Sequence, residues 1–428
     1  MLDRAGLALT LALPLFLLHG RGIAEALLIL LGISFLARSI IVQDWAWLRV
    51  GWVRIGLVWW GWLLICSVPA GIGPATQAAG LIRFLLLVAA LEHWTLRDAA
   101  IRMWLARLLR WAALYIALQS LLQFAAGQNL YGYPRGADGE LTGPYANPRA
   151  GPPLSRLLFP ALLPVASRWI GMAGWRPLAG TLLGLAGVAV MILIGQRMPL
   201  LLTFLGLFVT ALLLPRLRSV VLFSLIAAGL LLAVAPAVSP PAFNRLVTKF
   251  SGQMQHFPDS PYGQIAARAI AIGSAHPVLG AGFDAFRRLC DDPAYFQGWP
   301  KDGGGDGSGG DGGGAAICVQ HPHNHYLQAY IESGIPGLLL FSALVIAWLR
   351  GLGRGLWRDP DPLRVGLFVA ALMHAWPIAS ASAFSSMPLS GWFFLMLGLG
   401  LAETRAYMTA KSPRKEPSCP IVLSPLPS

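Results

Sequence analysis

Three histidines at alternate positions, His321, His323 and His325, stand directly before an apolar stretch in this 428-residue sequence. A neutral imidazole accepts a proton near pH 7, and a histidine that acts as general base raises a reaction rate by roughly 10²–10⁴-fold. Imidazole also binds zinc, but Pro322 interrupts the run and no cysteine or second histidine cluster supplies a fourth ligand. The pattern therefore indicates either a proton-transfer site or loop histidines at a water interface, rather than a metal site.

The composition indicates the elements that must hold these rings. The chain is 56% hydrophobic and 12% charged, with a mean hydropathy of +0.62, whereas a soluble domain has about 25% charged residues. Twelve apolar segments between Leu7 and Leu401 are candidates for spans, which need roughly 20 apolar residues each. The sequence HGRGIA after the first segment is a poor cleavage site, so this segment is expected to remain as a helix. We predict an all-α polytopic membrane protein with about 12 transmembrane helices.

The basic residues indicate the topology. If the amino terminus is cytoplasmic, 20 of the 32 Lys and Arg residues fall on the cytoplasmic side, and the even number of spans leaves both termini there. The net charge of +13 is spread between the spans, so no nucleic-acid partner is expected. The two longest connections, 127–153 and 238–325, then lie on the outer side.

Four regions follow from this topology. They are residues 1–237 with helices 1–9 and the outer loop 127–153, residues 238–325 as a large, partly helical outer loop with a Gly/Asp-rich tether at Asp302–Gly314, residues 326–403 with helices 10–12, and residues 404–428 as a cytoplasmic tail. Cys290 and Cys318 share the large loop. An oxidising outer compartment permits a disulfide between them, although two free thiols are also possible.

One motif indicates a family. His323-Asn324 is followed after nine residues by Gly334-Ile335-Pro336-Gly337. This His-Asn-x9-GxxG pattern resembles the O-antigen ligase family, within the larger group of O-antigen ligases, polymerases and related bacterial oligosaccharide transferases. Gly334 and Gly337 would allow a close approach between helices, and Pro336 would permit a kink. The family often has Thr where this chain has Leu338, which leaves the assignment of His323 unchanged.

Three further elements support the resemblance in the order of the family. Arg197 and Leu201 form an Arg-x3-Leu element, Arg268 precedes a His-Pro-x-x-Gly-x-Gly turn at His276–Gly282, and Leu141–Gly151 is similar to the family's Gly/Pro/Asn-rich loop. Together the elements extend over roughly residues 83–340.

The resemblance implies a GT-C-like membrane glycosyltransferase with a periplasmic active site in the inner membrane of a Gram-negative bacterium. It would move an O-antigen glycan from undecaprenyl diphosphate to a sugar hydroxyl of lipid A-core, with membrane lipids around it. His323 would be the base, and Arg197 and Arg268 would hold the diphosphate. Arg83, inside a span, would either contact the diphosphate or snorkel to the interface. A single displacement would invert the anomeric configuration.

Other residues are weaker candidates for the site: Arg135, Arg149, Asn324, Gln196 and His325. Glu332 lies nine residues after His323 and is expected to pack between helices. The first outer loop, HGRG at His19–Gly22, has no acid, and the sequence has no nucleotide-binding motif, so we expect no metal and no cofactor. An O-antigen polymerase, a protein O-oligosaccharyltransferase or a transporter are the alternatives.

Overall fold

The computed structural model of the chain describes residues 2–136, 138–295, 318, 321–379 and 384–411. The predicted tether Asp302–Gly314 and residues 412–428 of the predicted tail lie outside these described residues. Where the chain is described it forms α-helices and contains no strand. The α-helices are α1 (Leu2–His19), α2 (Arg21–Val42), α3 (Gly51–Ser67), α4 (Ile72–Gly80), α5 (Ile82–Ala90), α6 (Ala99–Ala126), α7 (Gly151–Ile170), α8 (Arg176–Ile194), α9 (Arg197–Leu213), α10 (Arg218–Val238), α11 (Pro240–Phe243), α12 (Lys249–Gln255), α13 (Pro261–Ala275), α14 (Ala285–Leu289), α15 (His325–Gly353), α16 (Pro362–His374) and α17 (Leu389–Lys411).

Seven helical segments of the described chain are long and apolar enough to cross a membrane. They are α1, α2, the continuous segment Ile72–Thr95, α6, α8, the segment Pro215–Val238 and α15. Three shorter apolar helices, α3, α9 and α16, overlap three more of the predicted spans, and α7 and α17 overlap the last two. The prediction of an all-α polytopic membrane protein is confirmed, while the number of twelve spans stays a prediction.

The last helix, α17, forms the centre of the bundle. Its residues from Leu389 to Ala402 are almost all buried, and it packs against α5, α15 and α16. A helix that is apolar on every face is stable only when neighbours surround it. The helix continues to Lys411, so the tail predicted from residue 404 begins inside this helix. The position of the membrane boundary at residue 404 stays a prediction.

The region 238–295 folds into four short helices, α11 to α14, outside the apolar bundle. Helix α13 begins after Ser260, whose Oγ accepts a hydrogen bond from the amide of Gly263 at 3.2 Å, a common N-cap arrangement. One face of α13 packs with α14 and with Ile331 of α15 in a small separate core. This core attaches the outer helices to the helix that follows the three histidines.

Helix α15 is broken at Ser333 and Gly334, where Gly334 has a φ of 66°. The outer loop inserts at the break: the amide of Ala281 donates to the carbonyl of Ile331 (2.7 Å), and that of Ile335 donates to the carbonyl of Pro277 (2.8 Å). These bonds satisfy backbone groups that a continuous helix would pair internally.

The break corrects the predicted role of the GxxG motif. A Cβ on Gly334 would lie 2.2 Å from the carbonyl oxygen of Val278, and one on Gly337 would lie 1.8 Å from Oγ of Ser333. Gly334 therefore allows the outer loop to approach, and neither glycine serves the predicted contact between two helices. Pro336 stands in the first turn after the break, where a missing amide proton is tolerated.

Candidate active site

His323 lies in the short non-helical stretch before α15, and Asn324 caps that helix. Oδ1 of Asn324 accepts hydrogen bonds from the amides of Tyr326 (2.9 Å) and Leu327 (3.0 Å), and its Nδ2 donates to the carbonyl of Pro377 (2.7 Å). His323 has a φ of 51°, a conformation that is uncommon for a residue with a side chain. Asn324 thus fixes the backbone beside the predicted base, and this accounts for its place in the motif.

The three histidine rings do not share one environment. The rings of His321 and His323 have centroids 4.6 Å apart, and both side chains are half-buried. His325 is buried at 4% exposure and stacks on His374 at 5.2 Å. His325 therefore belongs to the bundle interior, whereas the other two rings remain partly exposed.

Burial keeps the two outer rings neutral. It lowers the pKa of His321 to about 4, with a further contribution from His323, and it also lowers the pKa of His323 below 6.5. A ring that is neutral at pH 7 can accept a proton, which is what a general base requires.

Tyr262 connects His323 to Arg197, although the two residues are far apart in sequence. The edge of the Tyr262 ring meets the His323 ring at a centroid distance of 5.8 Å and an angle of 70°. Tyr262 is also within electrostatic range of Arg197, and it remains 44% exposed. The structure thus places Tyr262, which the sequence analysis missed, against the predicted base, in the region 238–295 that also holds Arg197.

Arg197 begins α9 and is held by the outer helices. Its Nε donates to the carbonyl of Arg245 at 2.7 Å, and its Nη1 donates to Oε1 of Gln253. Arg245 forms ion pairs with Asp138 (2.5 Å) and Glu140 (2.6 Å) of the loop 127–153. These contacts join the two outer regions at the guanidinium of Arg197.

Gln196 fixes the loop to the bundle. Its Nε2 donates to the carbonyl of Pro148 (2.8 Å) and its Oε1 accepts from the amide of Gly151 (3.1 Å). Its amide is thus bonded to backbone on both sides, which indicates a structural role for this weaker candidate. Arg149, in the same loop, is exposed.

Arg268 occupies a different environment from the one predicted. It is fully buried, and its Nη1 donates to the carbonyl of Cys290 (3.3 Å) and approaches Sγ of Cys318 (2.8 Å). Cys290 and Cys318 form a disulfide with a Cα–Cα distance of 5.6 Å. Tyr262 and Arg268 are six residues apart on α13 and therefore point in directions about 120° apart. The guanidinium of Arg268 thus contacts the disulfide region, and its predicted diphosphate contact stays a prediction.

Arg83 and Arg135 also have partners within the protein. Nε of Arg83 pairs with Oε1 of Glu25 at 2.5 Å. Neither of the two roles predicted for Arg83, contact with the diphosphate or snorkelling to the interface, includes this ion pair. Nη2 of Arg135 donates to the carbonyl of Phe124 (2.5 Å) near the end of α6. Both arginines are therefore placed where they stabilise helix ends and helix contacts.

The buried Glu332 accepts hydrogen bonds at Oε1 from the amide of Asp284 (3.0 Å) and from Gln328 (2.9 Å), and it therefore connects α15 to the outer loop.

Two buried residues near the histidines were not singled out from the sequence. They are Arg156 of α7, which is 1% exposed, and His374 at the end of α16, which is fully buried. An arginine in an otherwise apolar helix is a signal that the sequence contained, because such residues are costly in a membrane. Among the described residues no group of three or more His, Cys, Asp or Glu side chains could hold a metal ion.

Residues 181–342 match a family model described as O-antigen ligase. No curated protein matches the chain. The matched region includes Arg197, Tyr262, His323 and the contact between the outer loop and the broken helix α15. The family implies a glycosyltransferase-like activity on polysaccharide and lipid-linked substrates. The apolar helices confirm a polytopic membrane protein, and the match over residues 181–342 supports the predicted resemblance to the O-antigen ligase family.

Proposed function

We propose that this protein transfers a preassembled O-antigen glycan from undecaprenyl diphosphate to a sugar hydroxyl of lipid A-core, at the periplasmic face of the bacterial inner membrane. The observation that carries the proposal is the contact of the His323 ring with Tyr262 of α13, in the same region 238–295 whose Arg245 and Gln253 hold Arg197. A base and a phosphate-binding cation near one another are what the transfer of a sugar from a diphosphate requires.

His323 acts as general base in this proposal. Its neutral ring accepts the proton of the acceptor hydroxyl while the oxygen attacks the anomeric carbon. The bond between the anomeric carbon and the diphosphate oxygen breaks, and undecaprenyl diphosphate leaves with the electron pair. A single displacement of this kind inverts the anomeric configuration, and no covalent enzyme intermediate forms.

Arg197 stabilises the leaving diphosphate. A guanidinium has five N–H donors in a planar arrangement, and the bonds to Arg245 and Gln253 use Nε and Nη1. A cation already held in position stabilises developing negative charge without reorganising. The diphosphate itself supplies the driving force, so the proposed reaction uses neither a metal nor a cofactor.

The first test is complementation of a strain that lacks its own O-antigen ligase. The parent chain and His256→Ala, which changes an exposed histidine of the outer region, are expected to restore the lipopolysaccharide ladder on a gel. His323→Ala is expected to lower ligation by about 100-fold or more at equal membrane levels. An unchanged ladder from His323→Ala would contradict the assignment of the base.

The acceptor is tested separately, because an O-antigen polymerase or a protein O-oligosaccharyltransferase would use a similar donor site. Purified protein with a lipid-linked donor is offered lipid A-core, a second O-unit or an acceptor peptide. Product on lipid A-core alone supports the ligase proposal, and product on either of the others favours that alternative. Labelling of a cysteine introduced near His323 only from the cytoplasmic side would contradict the ligase proposal and favour a transporter.

A further inference from the structure

A groove lies between the turn that follows α15 and the last turns of α17. Its cavity has a volume of about 910 Å³. Arg354, Arg358 and Lys411 supply cations to its wall, and Asp359 supplies an acid. Because α15 begins beside the histidine motif and is long and apolar enough to cross a membrane, the groove belongs to the opposite end of this helix from the candidate active site.

The turn 354–361 is held firmly against α17. Leu356 is buried at 1% exposure. A Cβ on Gly355, which has a φ of +77°, would lie 2.6 Å from Cε1 of Tyr407, so the backbone approaches this ring closely. The amide of Asp359 donates to the carbonyl of Gly355 at 3.0 Å. A wall that is already ordered loses little conformational freedom when a ligand binds to it.

Trp357 faces outward from this anchored turn. It is 76% exposed, whereas the adjacent Leu356 is buried. Met408, on the α17 side of the groove, is 45% exposed. Tryptophan is enriched where a membrane meets water, because its ring is largely apolar and its N–H is polar. Exposed apolar side chains beside cations therefore indicate that the groove faces the headgroup layer of a membrane.

The residues that line the groove carry an excess of positive charge. Nζ of Lys411 pairs with Oδ2 of Asp359 at 3.4 Å and lies 5.8 Å from the ring centroid of Tyr407. Arg354 and Arg358, which are both exposed, add two further positive charges. The predicted topology accounts for basic residues at this end of the helices. It does not account for their arrangement around a cavity.

The headgroup of an anionic phospholipid matches these features. Its phosphate oxygens accept several charge-assisted hydrogen bonds from guanidinium and ammonium groups. Basic pockets between transmembrane helices bind such headgroups in other membrane proteins. A free phosphate ion would use the cations alone and leave Trp357 and Met408 in water, whereas a lipid also places its glycerol and upper acyl region beside them.

We propose that the groove between the turn 354–361 and the end of α17 binds the phosphate headgroup of an anionic phospholipid. Arg354 and Arg358 contact the phosphate, and Trp357 packs on the glycerol and upper acyl region. Asp359 weakens the site, because its carboxylate pairs with Lys411 and repels the anion. This inference does not depend on the proposed function, since the groove and the candidate base are at opposite ends of α15.

The test uses the full-length protein purified in detergent, and the Tm is measured as a probe is added. The probes are dioleoylphosphatidylglycerol, dioleoylphosphatidylcholine and inorganic phosphate, and only phosphatidylglycerol is expected to raise the Tm of the parent. In Arg354→Gln/Arg358→Gln the half-saturating concentration of phosphatidylglycerol should rise at least tenfold, because each basic residue near an anionic surface strengthens binding by about fivefold. Trp357→Ala should give a smaller rise.

The matched control is Arg168→Gln/Arg216→Gln. Both arginines are exposed, neither lines the groove, and the predicted topology assigns them to the same side of the membrane. This control removes the same charge and is expected to bind phosphatidylglycerol like the parent. An equal loss in the control would overturn the proposal, because the lipid would then respond to overall charge. A Tm rise with inorganic phosphate or phosphatidylcholine as large as with phosphatidylglycerol would also overturn it.

Asp359→Asn gives a prediction of opposite sign. Because this variant removes the acid of the groove and frees Lys411, the half-saturating concentration of phosphatidylglycerol should fall by about fivefold. A gain in affinity cannot result from a damaged fold, so it separates a lipid site from a structural role of these residues. Unchanged or weaker binding in Asp359→Asn would overturn the proposed arrangement of charges.

Discussion

Gly280 packs against the backbone next to Gly334, and Gly334 packs against the backbone close to Gly280. A Cβ on Gly280 would lie 2.3 Å from the amide nitrogen of Ser333, and one on Gly334 would lie 2.2 Å from the carbonyl oxygen of Val278. Both glycines have positive φ, +65° and +66°. Two motifs that are 54 residues apart in sequence therefore form one contact, which holds the outer loop against the helix that begins beside His323.

Gly280→Ala is expected to destabilise the protein by about 2–4 kcal/mol. The left-handed conformation costs a residue with a side chain roughly 1–2 kcal/mol, and overlap in a packed contact adds about 1–3 kcal/mol. Gly174→Ala is the matched control, because Gly174 has a φ of +78° and open space around a Cβ. A Tm of Gly280→Ala equal to that of the control would show that the contact is looser than described.

The pH dependence of transfer should reflect neutral outer histidines. Because burial lowers the pKa of His323 below its usual 6.5, the fall of kcat/KM on acidification is expected to be centred below pH 6.5. The measurement is a pH profile with purified donor and acceptor. A fall that is centred above pH 6.5 would indicate a protonated His323 or a different base.

Tyr262 is expected to position the ring of His323 rather than to transfer a proton. Tyr262→Phe should keep nearly parental kcat, while Tyr262→Ala should lower it up to about tenfold, since an aromatic edge contact contributes roughly 0.5–1.5 kcal/mol. Tyr133→Ala, at 41% exposure in the other outer loop, is the control. A loss in Tyr262→Phe as large as in Tyr262→Ala would assign a role to the hydroxyl instead.

Arg83 is expected to act through its ion pair with Glu25. Arg83→Gln and Glu25→Gln should each lower the Tm, and the double variant should lose less than the sum, because contacting partners are not additive. The KM for the donor should change little in either single variant. A KM for the donor that rises in Arg83→Gln but not in Glu25→Gln would instead support the diphosphate contact predicted from the sequence.

Most of the fold could be predicted because it depends on local composition. Each predicted span overlaps a helix, since an apolar segment in a bilayer must satisfy its backbone internally. The histidine motif was also recognisable from the sequence. In the structure its Asn324 caps α15 directly after His323.

By itself the sequence determined the apolar helices, the resemblance to the O-antigen ligase family and the choice of His323 as candidate base. Only the tertiary structure decided which arginines lie near that histidine: Arg197 does, through Tyr262, whereas Arg268 faces the disulfide region and Arg83 faces Glu25. The physical reason is that the direction of a side chain on a helix depends on which neighbours cover that face, and those neighbours come from segments far apart in the chain.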